Sequence, residues 1–395
     1  MNKIKIPAKL NIILGAFVII GLGALAAGYF SSHDGPLHQR SLAAILVLTF
    51  FILSVGLVGT FFATMQLAAG ARWSTVLRRV PETFISLWPI IFILLGAVAL
   101  NVDHIYHHWV AWKEINPHDH IMQVKSGYLN KPMFFAQIFG LTAILVGLGV
   151  VLRRISIKQD KTLDPKKRTT LVKISVAFIL CFAYFFTLLS YNLVMSLEPH
   201  WYTTMFGLYT WSGAAYTGIA AIIIFVIVIQ KLGGLKDVNE EHYHDLGKWQ
   251  FMFVIFWAYI AFSQFMLMWY ANMPEETVYL EKRIAGDWGT YTALFWILHF
   301  VVPFPILLSS KIKRNTSKML AVCSFIFFMG FVDVIWMVYP AMDVKGFPVS
   351  WMEIGIFLAA VGSIGLAVLN SFARHSDTPL GDPHLEESKH FHQTH

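Results

Sequence analysis

The chain has 395 residues, of which 56% are apolar and 13% charged, and its formal net charge is +7 at pH 7. Soluble globular chains average about 25% charged residues, so this chain has too few polar side chains to cover a water-exposed surface. The composition excludes a disordered protein and a secreted disulfide scaffold, gives no support to nucleic-acid binding, and predicts one polytopic membrane domain.

Ten segments are long and apolar enough to span a membrane, since a transmembrane helix needs roughly 20 apolar residues to cross about 30 Å of hydrocarbon. The first segment is too long for the 7–15-residue core of a signal peptide, so we interpret it as a retained helix. The predicted fold is an all-α integral membrane protein of ten helices over residues 1–372, followed by a polar tail at 373–395. The predicted spans lie near 8–29, 41–68, 80–101, 132–152, 171–196, 206–230, 249–271, 287–309, 318–339 and 351–372.

The distribution of Lys and Arg between the loops predicts the orientation of the spans. Of the 30 Lys and Arg residues, 23 lie on the side that holds both termini, and seven lie on the other side. Cytoplasmic loops carry an excess of Lys and Arg, so both termini are predicted to face the cytoplasm. Spans 2–5 (about 41–196) and spans 6–9 (206–339) would suit two four-helix bundles, with spans 1 and 10 beside them. The tail is too polar to form a core alone, and we expect it to need a partner surface or to stay loose.

Ionisable residues at membrane depth are the candidates for proton or ion handling, because charges are costly there. Asp333 lies about 15 residues into the ninth span, and His299 lies near the middle of the eighth span before Pro303. Gln264 lies at a similar depth in the seventh span, with Tyr259 about one turn away. These four residues form a candidate proton path between spans 7, 8 and 9. The alternative is a hydrogen-bonded network that only fixes helix packing.

Two further candidates for the proton path lie at the two ends of the third span. Glu82 follows Pro81 at the predicted cytoplasmic start, where the positive end of the helix dipole favours a carboxylate. Asp103 lies at the opposite end of the span. The alternative for Glu82 is an ordinary first-turn acid.

Glu198 and His200 form a polar turn between spans 5 and 6. A carboxylate and an imidazole beside aromatic residues at the outer interface suit a quinone head group or a proton exit. The alternative is a sharp outer turn with a proline and capping polar side chains.

No cofactor ligand set is predicted in the chain. Cys181 and Cys323 lie in separate apolar runs, so thiolate metal and iron–sulfur sites are not expected. His299 is the only deep histidine, which argues against a haem held by two histidines. The rings of the outer histidines suit a membrane interface without a bound metal, because they have both apolar and polar parts. The spacing of His104 and His108 would nevertheless place two imidazole ligands on one helix face. This outer cluster comprises His104, His107, His108, His118 and His120.

Several motifs resemble a known family over roughly residues 190–390. They are SLEPHWYTTMFGLY, WAYIAFSQFMLMWYANMPEET, LHFVVPFPILLS, VDVIWMVYP and PLGDPHLEES, in this order. This segment is similar to the F subunits of bacterial alternative complex III, which belong to the NrfD/polysulfide-reductase-like family of membrane subunits. The resemblance implies ten helices with two four-helix bundles. It places Asp333 in the family's VD-x-x-W stretch, His299 in its HF-x-x-P stretch, and Glu198 and His200 in its LEPHW stretch.

The resemblance also implies a function and a set of partners. The chain is expected to be a subunit of a quinol:cytochrome c (or other periplasmic acceptor) oxidoreductase in the bacterial inner membrane. Haem and iron–sulfur clusters would be carried by partner subunits, alongside a related NrfD-like subunit. This chain, without a cofactor of its own, would couple quinol oxidation to proton translocation. The alternatives are direct quinol binding near His200, Glu198 or Asp333, and a stand-alone secondary transporter.

Overall fold

The computed structural model describes residues 4–31, 35–162 and 166–392, which form helices and turns without a β-strand. Ten helices of this described part are long and apolar enough to cross a membrane, which confirms the predicted all-α, ten-helix fold. They are α1 (Ala8–Tyr29), α2 (Pro36–Ala68), α3 (Arg79–Leu100), α4 (Lys131–Thr162), α5 (Lys166–Leu197), α6 (Met205–Lys231), α7 (Glu240–Ala271), α8 (Asp287–Leu308), α9 (Thr316–Met342) and α10 (Trp351–Phe372).

Helices α2 and α6 form the centre of the molecule. Both are apolar around their whole circumference, which is the pattern of a helix buried on all sides, and most of their residues are buried. Helix α2 contacts α3, α5, α9 and α10, while α6 contacts α5, α7 and α9. The two helices also contact each other, where Gly218 of α6 lies against Val58 of α2. Helix α2 of the first predicted four-helix bundle thus contacts α6 and α9 of the second. The division into two bundles therefore stays a prediction.

Helix α1 lies at the edge of the molecule and packs mainly on α10. Small residues allow this close approach: a Cβ atom added at Gly21 would clash with the backbone oxygen of Gly355 and with Ala359, and one at Gly362 would clash with Leu14. Helix pairs in membranes commonly associate through such small residues, because no hydrophobic effect drives apolar helices together in lipid.

Helix α8 contains a π-helical turn, Ile297–Val301, directly before Pro303. Proline has no backbone N–H and clashes with the carbonyl of the fourth preceding residue, which here is His299. The ladder therefore widens, with the Val302 N–H donating to the Ile297 oxygen at 3.0 Å. The released His299 carbonyl accepts a hydrogen bond from the Tyr216 hydroxyl of α6 at 2.9 Å. Pro303 therefore accounts for both the π-helical turn and the free carbonyl that Tyr216 binds.

The polar tail packs on the chain itself. We call the end of the molecule that carries the α2–α3, α4–α5, α6–α7 and α8–α9 connections the basic end. Residues 376–391 cross this end: the Ser388 hydroxyl donates to the Trp73 carbonyl at 2.6 Å, and the Asn239 amide donates to the Phe391 carbonyl at 3.0 Å. The Asp377 carboxylate accepts from the Leu235 N–H at 3.2 Å. The same chain thus supplies a surface for the tail, and the expectation of a loose tail is wrong for the described tail residues.

The orientation of the basic end is tested by labelling single cysteines in intact cells. Lys161 and Asn315 are exposed at the basic end, and Asn116 is exposed in the α3–α4 connection at the opposite end. Cysteines at 161 and 315 should be protected from an impermeant thiol reagent, whereas a cysteine at 116 should react, because Lys- and Arg-rich loops stay in the cytoplasm. The reverse pattern would contradict the predicted orientation.

Candidate functional site

Asp333 is a buried carboxylate at the junction of three helices. Only 2% of its surface is exposed. Its Oδ1 accepts a hydrogen bond from the Tyr209 hydroxyl of α6 at 2.8 Å, and its Oδ2 accepts one from the indole N–H of Trp257 in α7 at 3.2 Å. Gly213 of α6 makes room for the carboxylate, since a Cβ atom there would lie 2.5 Å from Oδ2. The carboxylate is therefore held by two uncharged donors, neither of which is among the predicted path residues.

His299 lies next to this group, with its ring enclosed by aromatic side chains. The ring stacks on Tyr216 at a centroid distance of 4.0 Å and contacts the Trp257 ring at 3.9 Å. Neither ring nitrogen makes a hydrogen bond of good geometry to the described residues, although the Met329 carbonyl is close enough to act on the ring electrostatically. Trp257 thus contacts both His299 and Asp333, and it is the residue that joins the two predicted site residues.

A cavity of about 240 Å³ lies beyond Tyr209, between α6, α7, α8 and α9. Gln264 lines it, and the side-chain amide nitrogen of Gln264 is buried without a hydrogen-bond partner among the described residues. Tyr279, from the helix Pro274–Ile284 that connects α7 to α8, also lines the cavity, and its buried hydroxyl also lacks a partner. Phe262 and Phe265 line the cavity and are themselves exposed on the outer surface of α7. The cavity is therefore an apolar chamber with unsatisfied polar groups, open toward the lipid-facing surface.

Tyr259 does not belong to this interior, and its inclusion in the proton path is not supported by its position. Its side chain is 65% exposed on the outer surface of α7. Successive residues of an α-helix are rotated by about 100°, so a residue two positions from the buried Trp257 points almost the opposite way. The depth of Tyr259 along the helix was a poor guide to the face on which it lies.

Polar groups continue from His299 toward the basic end. Gln250 of α7 is fully buried, and its amide donates to the Tyr216 carbonyl at 3.1 Å, while its side-chain oxygen has no hydrogen-bond partner. Further along, the Tyr243 hydroxyl donates to the Gln230 side-chain oxygen at 2.6 Å. These residues were missed in the sequence, because an isolated glutamine or tyrosine in an apolar helix carries no periodic signal.

A very small cavity, of about 10 Å³, lies beside Asp333 on the side of α2. It is large enough for about one water molecule. The Ser54 hydroxyl of α2 lines it and has no hydrogen-bond partner among the described residues. This small cavity thus places the Ser54 hydroxyl of α2 close to the Asp333 carboxylate.

Glu198 and His200 take separate partners at the end of the molecule opposite the basic end. The Glu198 carboxylate contacts Lys282 at 3.1 Å and Arg283 at 3.4 Å. His200 is exposed and contacts Asp119 at 2.5 Å, and this hydrogen bond lowers the pKa of the Asp119 carboxyl. The two residues of the predicted polar turn are therefore near each other in sequence but belong to different ion-pair groups.

Arg283 is fully buried and is a second feature that the sequence did not reveal. Its guanidinium lies 3.4 Å from the Tyr279 ring centroid and donates to the Met337 carbonyl at 2.7 Å. It links the Glu198 turn to the end of α9 opposite the basic end and, through Tyr279, to the wall of the cavity that Tyr209 also lines. In the sequence it counted only as one of the Lys and Arg residues used for orientation.

Glu82 is buried at the basic end in a network of charges. It accepts hydrogen bonds from Arg78 and Arg79 at 2.9 Å each and from the Ser156 hydroxyl at 2.8 Å. Arg79 also pairs with Asp160 of α4. Glu82 is therefore part of a buried ion-pair network and not an isolated first-turn acid.

The tail completes this network with Asp382. Its carboxylate contacts Arg78 at 2.5 Å and Arg168 of α5 at 2.8 Å. Burial raises the pKa of Asp382, but the charge of Arg78 and further hydrogen bonds outweigh burial and hold this pKa below its usual value. Three arginines and three carboxylates thus balance one another where the tail, α3, α4 and α5 meet.

Asp103, the last predicted member of the proton path, is exposed at the opposite end of the molecule. It pairs with Lys131 at 2.5 Å, and more than half of its side chain is exposed. The six predicted path residues therefore occupy four places: Asp333, His299 and Gln264 lie in one interior, Glu82 lies at the basic end, and Tyr259 and Asp103 lie on separate surfaces.

The outer histidines are expected to bind no stoichiometric metal. His104 and His108 fall on two different short helices, Val102–Ile105 and His107–Val110, because the turn at Tyr106 interrupts the predicted helix face. Among the described residues no group of three or more His, Cys, Asp and Glu side chains is arranged to hold a metal ion. Metal analysis of the purified chain should therefore find less than one Zn or Cu per chain. A stoichiometric metal that is lost when His104 and His108 are replaced would contradict this expectation.

Comparison of the chain with known proteins gave no family assignment. No model of a known protein family matches the sequence, and no curated protein matches it. The resemblance to the NrfD/polysulfide-reductase-like family therefore stays a prediction that rests on the motifs of residues 190–390.

Proposed function

We propose that this chain is an integral membrane subunit of a bacterial quinol:cytochrome c (or other periplasmic acceptor) oxidoreductase, in which it couples quinol oxidation to proton movement. In this proposal the basic end and both termini face the cytoplasm. Haem and iron–sulfur clusters are held by partner subunits, which include a related NrfD-like subunit, and this chain holds no redox cofactor. The motifs of residues 190–390 support the family, and the position of Asp333 supports the coupling role.

The single observation that carries the coupling role is the environment of Asp333. A charged side chain at the centre of a membrane helix costs at least about 2.5–3.5 kcal/mol, so an acid retained there is a functional hypothesis by default. Its hydrogen-bond donors, the Tyr209 phenol and the Trp257 indole, carry no charge, and no cation among the described residues pairs with it. A carboxylate in this position can take up and release a proton without breaking a salt bridge.

Groups on both sides of Asp333 suit a relay. Toward the basic end, His299 and Gln250 have buried polar atoms without hydrogen-bond partners. Toward the opposite end, Gln264 and Tyr279 have such atoms on the wall of the cavity that Tyr209 also lines. Water molecules between these groups would complete a route, since a buried water needs two to four polar partners.

Direct quinol binding is a second candidate function, and it is favoured by the cavity of about 240 Å³ that Tyr209 lines. Ligand pockets are mostly apolar with a few placed polar groups, and this cavity has apolar walls with Tyr209, Gln264 and Tyr279 as polar groups. The observation supports a quinol near Asp333 and not at Glu198 or His200, which are occupied by Arg283, Lys282 and Asp119. A bound quinol there would exchange protons with the Asp333 group through the Tyr209 hydroxyl.

A purification from native membranes separates the complex subunit from a stand-alone secondary transporter. The tagged chain, extracted in a mild detergent, should elute with haem-bearing partners. The eluted complex should oxidise quinol with an external electron acceptor. The control is the same purification of an unrelated tagged membrane protein of similar abundance. A chain that elutes alone, without haem absorbance and without activity, would contradict the proposed function.

A further inference from the structure

A basic cavity lies between α3, α4 and α10 near the basic end, away from the Asp333 region. Its volume is about 460 Å³. Three arginines line it: Arg153 and Arg154 come from α4, and Arg374 follows α10. The rest of the wall is apolar or uncharged, apart from His375, and includes Ile85, Trp88, Val150, Ile157, Leu366 and Asn370.

The positive charge of this cavity is not balanced by the protein. No carboxylate lines the cavity, and none of the three arginines forms an ion pair with another described residue. Among the described residues Arg153 donates to the Ser371 carbonyl, at 3.1 Å. Arg374 and Arg79 act on Arg153 as like charges, and Glu82, which acts on it favourably, is already bonded to Arg78 and Arg79. These grouped cations favour an external anion.

The shape of the site fits an anion that is attached to an apolar chain. Arg153 and Arg154 lie about two turns before the end of α4 at Thr162, and Arg374 lies just past the end of α10 at Phe372. Val150 lies about one turn deeper than the arginines of α4, and Leu366 lies about two turns deeper than Arg374. Trp88, which is 46% exposed, lies on the wall as indole rings do at the level of lipid head groups. One arginine guanidinium can donate two parallel hydrogen bonds to phosphate oxygens. Basic pockets between membrane helices bind anionic lipid head groups.

We propose that this cavity binds one anionic phospholipid, with its phosphate held by Arg153, Arg154 and Arg374 and its acyl chains along α3 and α10. The bound lipid would fasten the edge pair of α1 and α10 to α3 and α4 at the basic end. This proposal rests on the cavity alone and does not depend on the coupling role of Asp333.

Lipid-dependent thermal stability of the purified full chain tests the proposal. Dioleoylphosphatidylglycerol should raise the unfolding temperature of the delipidated protein, because a ligand that binds only the folded state stabilises it. Dioleoylphosphatidylcholine and inorganic phosphate should have much smaller effects. In the Arg154→Gln/Arg374→Gln variant, which keeps the Arg153–Ser371 hydrogen bond, the apparent affinity for phosphatidylglycerol should fall at least about tenfold, as the loss of charge-assisted hydrogen bonds predicts.

The matched control is Lys158→Gln/Lys161→Gln, which removes two positive charges from exposed positions farther along α4 and should retain wild-type affinity. Brominated phosphatidylglycerol should quench part of the tryptophan fluorescence, and Trp88→Phe should remove that part. Equal effects of the two lipids, or an unchanged affinity in the arginine variant, would overturn the proposal. Full stabilisation by inorganic phosphate alone would show a site for a free anion and would overturn it as well.

Discussion

Replacement of Asp333 by asparagine is expected to abolish proton movement that is coupled to turnover while quinol oxidation continues. The Asp333 carboxylate accepts from Tyr209 and Trp257 on separate oxygens. Asparagine can accept from the Trp257 indole with its side-chain oxygen and donate its amide to the Tyr209 hydroxyl, so the helices should still pack. An amide, however, cannot take up and release a proton. Moving one charge against 100 mV requires about 2.3 kcal/mol, so the loss of a relay group should be visible as lost coupling. The measurement is proton translocation by the purified complex in closed vesicles, together with quinol oxidation in the presence of an uncoupler.

Asp343→Asn is the matched control for this variant. Asp343 is an exposed carboxylate just past the end of the same helix, and its backbone has a left-handed conformation (φ 51°) that asparagine adopts readily. The control should translocate protons like the wild type. If Asp333→Asn also translocates protons normally, Asp333 has a structural role only.

Replacement of Asp382 by asparagine is expected to release the tail from the basic end. Asp382 faces Arg78 and Arg168, and removing one partner of a buried ion pair costs about 3–5 kcal/mol because the remaining charge is left uncompensated. The pKa of Asp382 lies below its usual value, so docking should persist at neutral pH and weaken only as acidification takes the pH down through this lowered pKa. A cysteine placed at the buried Thr378 should react slowly with a thiol reagent in the wild type and rapidly in the Asp382→Asn background.

Glu386→Gln provides the control for the tail. Glu386 lies on the same segment, but its side chain is 75% exposed and its ion-pair partner among the described residues is Lys389. Exposed pairs of this kind contribute little to stability, so the cysteine at 378 should stay protected. Equal protection in Asp382→Asn would show that backbone hydrogen bonds of the tail, and not the Asp382 ion pairs, hold it in place.

The number and order of the helices could be predicted from hydropathy, and the predicted ends of α1 and α10 agree with the structure, but the ends of other helices could not be predicted. Helix α4 continues to Thr162, ten residues past the predicted end, and α7 begins at Glu240, nine residues before the predicted start. Hydropathy reports the part of a helix that lies in hydrocarbon, whereas the helix continues as long as its backbone is satisfied. At the start of α7, Asn239 and His242 form a reciprocal capping box. Hydropathy cannot detect this helix start, because the segment is charged.

The sequence predicted how deep in the membrane the candidate site lies, but not which side chains contact Asp333. Asp333 was recognised because a carboxylate is rare in an apolar helix. Tyr209 and Trp257 could not be assigned to it, because aromatic residues are common in every span and only the relative rotation of α6, α7 and α9 brings these two onto the carboxylate. The same rotation turns Tyr259 outward. The tail network was missed because it joins Arg78 to Asp382, which are 304 residues apart.

The most direct test of the coupling role is the proton balance of the wild-type complex during quinol oxidation. Vesicles that contain the purified complex should be supplied with quinol and electron acceptor, and the protons released on the acceptor side should be compared with those that quinol oxidation itself produces. We expect release beyond the chemical yield, with matching uptake on the side of the basic end, both abolished by an uncoupler. Release equal to the chemical yield, without uptake at the basic end, would contradict a proton-coupling function for this chain.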